Sequence, residues 1–240
     1  MIQLKDGRLA GDTVLFISAL EQELTDFISA LDFERRNLGP LEYDLFSDPS
    51  GRRVIGHVCG VGKVNAAASA AAFLSHPEYN VSYVVSVGTA GGLDKSLKTG
   101  DIVVGRDFVQ HDFDVSSVFP DCKPGQIPGC ELFMKTLPPE MEAVLPADEN
   151  LRVGTIISGD HFVNEGEKLA GFNPLAVEME AAAMAQVCIR YNTPFLSIRV
   201  ITDSADEEAA NDWPKLFAKL SKISSGYAHR ALNAFNQLSG

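Results

Sequence analysis

The residues of this sequence with the clearest chemical potential are acids at the ends of apolar segments. Two carboxylates lie inside the apolar run Val177-Glu178-Met179-Glu180-Ala181, Asp203 comes just past the apolar strand 195–201, and Glu23 lies one turn into the helix predicted after the first strand. Carboxylates in such junctions must be solvated, paired or functional to offset the cost of burial. If the preceding strands share one sheet, these acids converge on one crevice, an arrangement that suits acid/base hydrolysis of a glycosidic-type bond.

Each of these acids also has a structural interpretation. Glu178 and Glu180 suit the electrostatics of a helix N-terminus, where acidic side chains are favoured. Helix capping is the competing role of Asp203. Both interpretations stay open when these residues are considered alone.

The glycine pair in Gly60-Val61-Gly62 resembles a phosphate-binding loop only in part. Asn65 stands where the dinucleotide-binding motif has its third glycine, and His57 and Val64 break the P-loop pattern. We therefore predict a tight turn that leads into a closely packed helix.

The run His111-Asp112-Phe113-Asp114 contains three residues of metal-ligating type. Alternation along a strand would send its two aspartates to the face opposite its histidine, which separates the ligands. We predict a polar strand end that continues into a loop, and no metal site.

The surrounding elements predict an α/β fold, because short β-branched or aromatic runs alternate with amphipathic or alanine-rich stretches. We expect one domain, residues 1–240, with a central, mostly parallel, mixed and twisted sheet flanked by helices; residues 1–11 are an N-terminal extension without an assigned role. The glycine cluster 88–92 is predicted to end a strand, 47–51 to be a hairpin turn and 116–129 a long irregular loop. The predicted strands are 13–19, 43–46, 53–59, 83–87, 101–109, 152–158 and 194–202. The predicted helices are 21–31, 63–74 and 180–190. We also predict a long C-terminal helix, with one apolar face formed by Leu216, Leu220, Ile223, Tyr227, Ala231, Ala234, Phe235 and Leu238.

Composition narrows the class of protein further. The 240 residues are 45 % hydrophobic, enough for a sizeable core, and 20 Lys+Arg against 32 Asp+Glu give a net charge of −12, which would repel nucleic acid. The best N-terminal apolar stretch, 14–20, runs directly into Glu21 and Glu23, so we expect neither a signal peptide nor a membrane anchor. Four cysteines without paired spacing fit a reducing cytoplasm.

Nine segments together resemble the nucleoside phosphorylase and nucleosidase superfamily, and most closely the 5′-methylthioadenosine/S-adenosylhomocysteine nucleosidases. The resemblance spans nearly the whole chain and implies a nucleoside phosphorylase-like fold. The segments, in family order, are SALEQEL at 18–24, GVGKV at 60–64, GTAGGL at 88–93, GDIVV at 100–104, HDFDV at 111–115, GQIPG at 125–129, SGDHF at 158–162, AVEMEA at 176–181 and RVITDSAD at 199–206.

The resemblance implies a role for each catalytic acid. Asp203 would protonate the leaving purine at N7, and Glu23 would be the base that activates water. This division agrees with elementary chemistry, because adenine is a poor leaving group and the ribosyl ring gains positive charge as the N-glycosidic bond breaks. An aspartate acts as the acid only where its site raises its pKa well above the ordinary value.

The resemblance also implies a set of substrate-binding residues and no cofactor or metal. These residues are Glu180 on the ribose hydroxyls, Met179 packed on the sugar, Glu178 supporting the pocket, Thr89 near the catalytic centre, Phe162 stacked on the base, the main chain of Val163 at the base edge, Val61 on the side of the 5′ substituent, Thr202 beside Asp203, and Arg199.

One feature separates hydrolysis from phosphorolysis. Phosphorylases of this superfamily hold phosphate with arginines, one of which falls at the position of Ser86, and the first-strand turn carries Glu21 and Glu23 in place of another. Acids repel phosphate and can activate water, so we favour hydrolysis. The alternatives are a phosphate-dependent phosphorylase, a futalosine-type nucleosidase and a non-catalytic nucleoside-binding protein.

The sequence leaves the preferred nucleoside open among 5′-methylthioadenosine, S-adenosylhomocysteine, 5′-deoxyadenosine and futalosine-type nucleosides. His161 stands where relatives often have a small or amide residue, which bears on the base or 5′-group preference. The family resemblance also implies a homodimer whose partner contributes to the 5′ end of the pocket, and the proline-rich loop 116–129 is the candidate segment.

Overall fold

The computed structural model describes residues 2, 4, 7, 9–47, 51–205 and 209–238. Parts of the predicted N-terminal extension and of the turn at 47–51 lie outside these ranges, as does the last residue of the 199–206 segment. The strands are β1 Thr13–Ser18, β2 Glu34–Leu38, β3 Leu41–Ser47, β4 Arg53–Val58, β5 Val81–Gly92, β6 Ile102–Gln110, β7 Met134–Lys135, β8 Leu151–Ser158, β9 Ala176–Glu178 and β10 Phe195–Asp203. The helices are α1 Thr25–Ser29, α2 Lys63–Ser75, α3 Pro139–Ala143, α4 Ala181–Tyr191 and α5 Ala209–Phe235, with short 3₁₀ helices at Glu21–Glu23, Gly166–Phe172 and Asn236–Leu238.

The strands of the described residues form one mixed sheet in the order β10-β6-β8-β9-β5-β1-β4-β3-β2, with β7 beside β6. Parallel pairs join β4, β1, β5 and β10 in the centre, and β6 with β8 and β9. Antiparallel pairs join β10 to β6 and β9 to β5, which closes β10, β6, β8, β9 and β5 into a circuit. The carboxyl ends of the parallel strands β1, β5 and β10 lie at one edge, and the short strand β9, antiparallel to β5, places Val177 opposite Gly91 there. The mixed sheet with its covering helices confirms the predicted α/β class.

Helices cover both faces of the central strands, so these strands are buried on both sides. Alternate residues of β1 point to opposite cores: Phe16 packs in the cluster that holds α5, and Leu15 in the cluster that holds α2 and α4. Buried alanines on α2 and α4 let these helices approach the sheet closely. Within the described ranges, no helix is both long and apolar enough to cross a bilayer.

The prediction of one continuous helix over 21–31 is wrong. The chain makes a 3₁₀ turn at Glu21–Glu23 and then the short helix α1, with a break at Leu24, whose φ is −119°. The break turns both Glu23 and Leu24 inward, where they are 5 % and 0 % exposed.

The glycine cluster 88–92 lies at the carboxyl end of a strand, as predicted, but it forms the last five residues of β5, which is longer than the predicted strand 83–87. These residues pair with both β10 and β9. The missing side chains make room for charged groups at this edge: a Cβ on Gly88 would lie 2.8 Å from Arg199 Nη1 and from Glu23 Oε1.

Two further differences arise from tertiary contacts. Strand β2 was not predicted, because its residues are charged and exposed; it is held by pairing with β3 and by the 2.8 Å ion pair of Arg35 with Asp44. On α5, Leu220, Tyr227 and Phe235 are buried as predicted, whereas Ile223 is 37 % exposed at the border of the apolar face.

Candidate active site

A pocket of about 830 Å³, measured with part of its open mouth, lies at the edge where β1, β5, β9 and β10 end. Its lining consists of Ala19, Leu20, Glu23, Val61, Thr89, Ala90, Gly91, His161, Phe162, Val163, Val177, Glu178, Met179, Glu180 and Asp203. The fold thus brings the acids of three distant segments to one place.

Hydrogen bonds hold both carboxylate oxygens of Glu23 in place. Oε2 accepts a hydrogen bond from the N–H of Leu20 at 3.1 Å, and Oε1 accepts from the N–H of Thr89 at 3.0 Å and from its hydroxyl at 3.3 Å. The hydroxyl of Ser225 on α5 donates to the Glu23 carbonyl at 2.8 Å, which fixes the turn from behind. Burial raises the pKa of Glu23, although the charge of Arg199 opposes this shift. A carboxylate with a raised pKa is a stronger base.

Glu178 and Arg199 form a buried ion pair behind the pocket wall. Arg199 Nη2 lies 2.5 Å from Glu178 Oε2 and donates to the Ser86 hydroxyl at 2.9 Å. Glu178 also accepts hydrogen bonds from the N–H groups of Glu180 and Ala181 and from the hydroxyl of Ser158. Burial lowers the pKa of Arg199, but the negative charges around it more than compensate, so it stays a cation.

Glu180 faces the pocket between this ion pair and the glycine turn. Its Oε1 accepts a hydrogen bond from the N–H of Gly62 at 2.9 Å, and its Oε2 lies 3.9 Å from Arg199 Nη2. Burial and the neighbouring charge of Glu178 raise the pKa of Glu180. The carboxyl group of Glu180 therefore has an unusually high proton affinity, which strengthens hydrogen bonds that it accepts.

Asp203 ends β10 on the other side of the pocket and is 8 % exposed. Its Oδ2 accepts a hydrogen bond from the Thr202 hydroxyl at 2.6 Å, and its Oδ1 accepts from the N–H of Ala205 at 2.9 Å. A Cβ on Gly91 would lie 3.0 Å from Asp203 Oδ1, so glycine is needed there too. These two hydrogen bonds hold the side chain of Asp203 in one orientation.

The mouth of the pocket is more exposed and more apolar than its interior. Val61 and Phe162 are 46 % and 47 % exposed, and Met179 and Val163 are half-buried between them and the carboxylates. Gly60 and Gly62, on either side of Val61, have φ values of +87° and +100°. The predicted tight turn before α2 is therefore present, with the N–H of Gly62 bonded to Glu180.

Two predicted substrate-binding residues do not line this pocket. Arg199 and Thr202 are 2 % and 1 % exposed and contact the acids from behind. Residues 111–112 form a turn after β6, as expected of a polar strand end. Among the described residues, no group of three or more His, Cys, Asp or Glu side chains is arranged to hold a metal ion.

The phosphorylase superfamily model matches residues 13–235, nearly all of the chain. The chain belongs to the phosphorylase superfamily. Its superfamily relatives include a 5′-methylthioadenosine/S-adenosylhomocysteine nucleosidase of Bacillus subtilis, 37 % identical over 204 residues, which covers 80 % of this chain and 86 % of the relative. This similarity confirms the family resemblance of the sequence motifs.

Solved structures of superfamily members agree with this assignment. The 5′-methylthioadenosine/S-adenosylhomocysteine nucleosidase of Neisseria meningitidis, in complex with methylthio-immucillin-A, is 30 % identical with a TM-score of 0.84 and covers 93 % of this chain and 99 % of its own. The futalosine hydrolase of Helicobacter pylori is 28 % identical with a TM-score of 0.84 and covers 92 % of this chain and 97 % of its own.

Sequence reasoning missed two residues that hold the acids in place. Ser158 donates to Glu178 and accepts from the N–H of Ala182, and Ser225 donates to the Glu23 carbonyl. Both serines are fully buried. For Ser158, the available signal was a hydroxyl at the end of an apolar strand, since buried hydroxyls require partners. Ser225 lies among other polar residues of α5, so the sequence offered no such signal for it.

Proposed function

We propose that this chain hydrolyses the N-glycosidic bond of 5′-substituted adenine nucleosides and releases adenine and the ribosyl sugar. The nucleosidase relatives and the acid-lined pocket support this proposal. The compounds we expect it to cleave are 5′-methylthioadenosine, S-adenosylhomocysteine and 5′-deoxyadenosine. The reaction serves salvage of the methionine and S-adenosylmethionine pool.

In this mechanism, Asp203 is the leaving-group acid. The C1′–N9 bond breaks with its electron pair moving to the base, and the proton of Asp203 goes to N7. Its bonds to Thr202 and Ala205 hold the carboxyl group in one orientation, which reduces the cost of aligning it with the base. Phe162 and Val163 contact the base from the mouth side.

Glu180 stabilises the ribosyl cation by gripping the ribose hydroxyls. The positive charge appears only as the bond breaks, so a carboxylate near the ring favours the transition state over the bound substrate. Arg199 and Glu178 set the position of Glu180 from behind.

Glu23 is the base for the attacking water. It takes one water proton while the water oxygen bonds to C1′. Its two oxygens already accept hydrogen bonds from main-chain N–H groups at Leu20 and Thr89, so the carboxylate is fixed before substrate arrives. Its raised pKa supports the role of a base.

The observation that favours hydrolysis over phosphorolysis is that the positive charge of Arg199 is already paired within the protein. This buried guanidinium is bonded to Glu178 and Ser86 and lies close to Glu180, so its charge is already compensated. Among the described lining residues, the acids outnumber the single basic side chain, that of His161. The described lining residues include no lysine or arginine that could hold a phosphate dianion.

The test is product analysis with 5′-methylthioadenosine, with and without phosphate. We expect equal rates and free 5-methylthioribose in both buffers. Formation of the sugar 1-phosphate, or turnover that requires phosphate, would overturn the hydrolytic assignment.

A futalosine-type nucleosidase is the second candidate, because the solved futalosine hydrolase matches this chain as well as the other solved structures do. Steady-state rates on 5′-methylthioadenosine, S-adenosylhomocysteine, 5′-deoxyadenosine and futalosine decide between the two. We expect the adenine nucleosides to have the higher kcat/KM.

We propose further that the chain acts as a cytoplasmic homodimer. Val118 and Phe119 in the loop 116–129 are 73 % and 49 % exposed, and apolar surface of this kind is typical of interfaces. All four cysteines are free thiols, in agreement with a reducing compartment. Light scattering that gave an active monomer of about 26 kDa would contradict the dimer.

A further inference from the structure

Helix α5 contains three fully buried serines, Ser221, Ser224 and Ser225, whose hydroxyls are used in two different ways. Ser221 donates to the Phe217 carbonyl at 2.8 Å, and Ser224 donates to the Ser221 carbonyl at 2.9 Å. Both bonds lie within the helix, which is the usual local bond of a helical serine. Ser225 instead donates out of the helix, to the carbonyl of Glu23 at 2.8 Å, 202 residues away in the sequence.

The Glu23 carbonyl lies in the break between the 3₁₀ turn and α1, where the series of helical hydrogen bonds is interrupted. The N–H of Leu24 donates to the Glu21 carbonyl, and the N–H of Ile28 donates to the Leu24 carbonyl. Neither bond uses the carbonyl of Glu23. The carbonyl of a buried residue needs a donor, and Ser225 supplies it from α5.

A second residue of α5 repeats this contact one helical turn later. His229 Nε2 lies 3.0 Å from the Phe27 carbonyl, and because a carbonyl only accepts, this nitrogen carries the proton. The imidazole also stacks on the Phe27 ring, with centroids 4.4 Å apart and an interplanar angle of 28°. Ser225 and His229 are four positions apart, as are Glu23 and Phe27, so α5 holds the segment that carries Glu23 at two points.

Helix α5 is a firm support for these contacts, because it is anchored in the core. Its buried apolar side chains, from Leu220 to Phe235, pack in the same cluster as Leu24 and Phe27. It also packs against β10, which ends on Asp203, and it begins shortly after that residue. One helix therefore contacts the strand of the proposed acid and the turn of the proposed base.

We propose that Ser225 and His229 are positioning residues of the reaction, which hold the main chain of Glu23 so that its carboxylate meets the attacking water in a fixed orientation. The inference rests on the proposed nucleosidase function, in which Glu23 is the base. It gives α5, whose described residues do not line the pocket, a part in the chemical step.

The side chain and the main chain of Glu23 are held by different groups. The N–H groups of Leu20 and Thr89 hold its carboxylate oxygens, whereas Ser225 holds its carbonyl. Without the Ser225 hydroxyl, the peptide group after Glu23 rotates more freely, and the carboxylate shifts relative to Thr89. A misplacement of about 1 Å slows a chemical step by up to roughly 100-fold, so a smaller shift has a smaller but measurable effect.

The experiment measures kcat and KM for 5′-methylthioadenosine in Ser225→Ala, His229→Phe, Ser221→Ala and Ser224→Ala. Ser225→Ala removes the hydroxyl alone, and His229→Phe keeps an aromatic ring but removes the donor. Ser221→Ala and Ser224→Ala are matched controls, because they remove equally buried hydroxyls that bond within the helix. Each variant is also made in the Glu23→Gln background, and circular dichroism measures its folded fraction.

We expect Ser225→Ala to lower kcat about tenfold with KM nearly unchanged, since it disturbs the chemical step and not substrate binding. His229→Phe should lower kcat less, and the two serine controls should leave it unchanged. In the Glu23→Gln background, neither Ser225→Ala nor His229→Phe should lower the remaining rate further, because no base is left to position.

Three results would overturn the inference: an unchanged kcat in Ser225→Ala, an equal fall in the serine controls, or an equal fall with and without the Glu23 carboxylate. The last two would mean that the hydroxyl supports the fold in general. If Ser225→Ala does not fold, His229→Phe is compared in the same two backgrounds and decides by the same criteria. Failure of the unchanged chain to cleave 5′-methylthioadenosine would instead contradict the proposed function, so the two failures are distinguishable.

Discussion

The interior and the mouth of the pocket are built in different ways. In the interior, Glu23, Glu178 and Glu180 are buried, and each accepts hydrogen bonds from main-chain N–H groups. At the mouth, Val61 and Phe162 are nearly half exposed. Charges fixed in a buried interior have little freedom to reorganise, which suits the chemical step. An exposed apolar mouth suits recognition, because its side chains change with little cost to the fold.

Glu23→Gln should have the largest effect in the interior. The amide cannot take a proton from water, so kcat should fall by about 10²–10⁴-fold, the usual contribution of general acid/base catalysis. Nucleoside binding should persist, since the side-chain shape is nearly unchanged. Rapid-quench kinetics with calorimetric binding measures both. Loss of binding together with activity would mean that Glu23 holds the substrate or the fold.

Arg199→Met should strongly destabilise the folded protein. Removing the cation leaves Glu178 and Glu180 without compensation, and breaking a buried pair costs about 3–5 kcal/mol. For a chain of this size, Tm should fall by about 6–20 °C. The matched control is Arg36→Met, whose pair with Glu34 is exposed and screened by solvent, so its Tm should hardly change. Equal Tm shifts in a thermal scan would contradict the interior network.

The acid limb of the pH profile should reflect the buried base. Because burial raises the pKa of Glu23 above its ordinary value of 4.5, the residue becomes protonated and inactive as pH falls through this raised value. The fall in kcat/KM should therefore begin at a higher pH than an exposed glutamate would give. A profile that stays flat down to pH 4.5 would show that Glu23 is not the base.

Phe162→Ala should have the smallest effect, and on recognition alone. Stacking of an aromatic side chain on a base contributes about 1–3 kcal/mol, so we expect KM to rise roughly tenfold with kcat little changed. Stability should change by less than about 0.5 kcal/mol, because the side chain is exposed. A loss of kcat equal to that of the interior variants would remove the distinction between the two regions.

Only part of the candidate site could be predicted from the sequence. Glu23, Glu180 and Asp203 were recognisable because each follows or ends an apolar segment, and the carboxyl ends of neighbouring strands meet. The pairing of Arg199 with Ser86 and Glu178 was not predictable, because it joins segments that are 113 and 21 residues apart. No local pattern records such a contact.

The fold, too, could be predicted only in part from the sequence. The buried strands were predicted from their apolar runs, whereas β2 consists mostly of charged residues and depends on its pairing and ion pair with β3. The interrupted helix after β1 depends on Glu23 turning toward Thr89, a contact 66 residues away in the sequence. Tertiary contacts override local propensity at both places.

The most direct test of the mechanism is Asp203→Asn, measured by single-turnover hydrolysis of 5′-methylthioadenosine and by calorimetric binding. The asparagine keeps the shape and a hydrogen-bonding oxygen but has no proton to transfer to N7. We predict a folded protein that binds the nucleoside with nearly unchanged affinity and cleaves it about 10²–10⁴-fold more slowly. Near-native cleavage by this variant would contradict the assignment of Asp203 as the leaving-group acid, and with it the proposed mechanism.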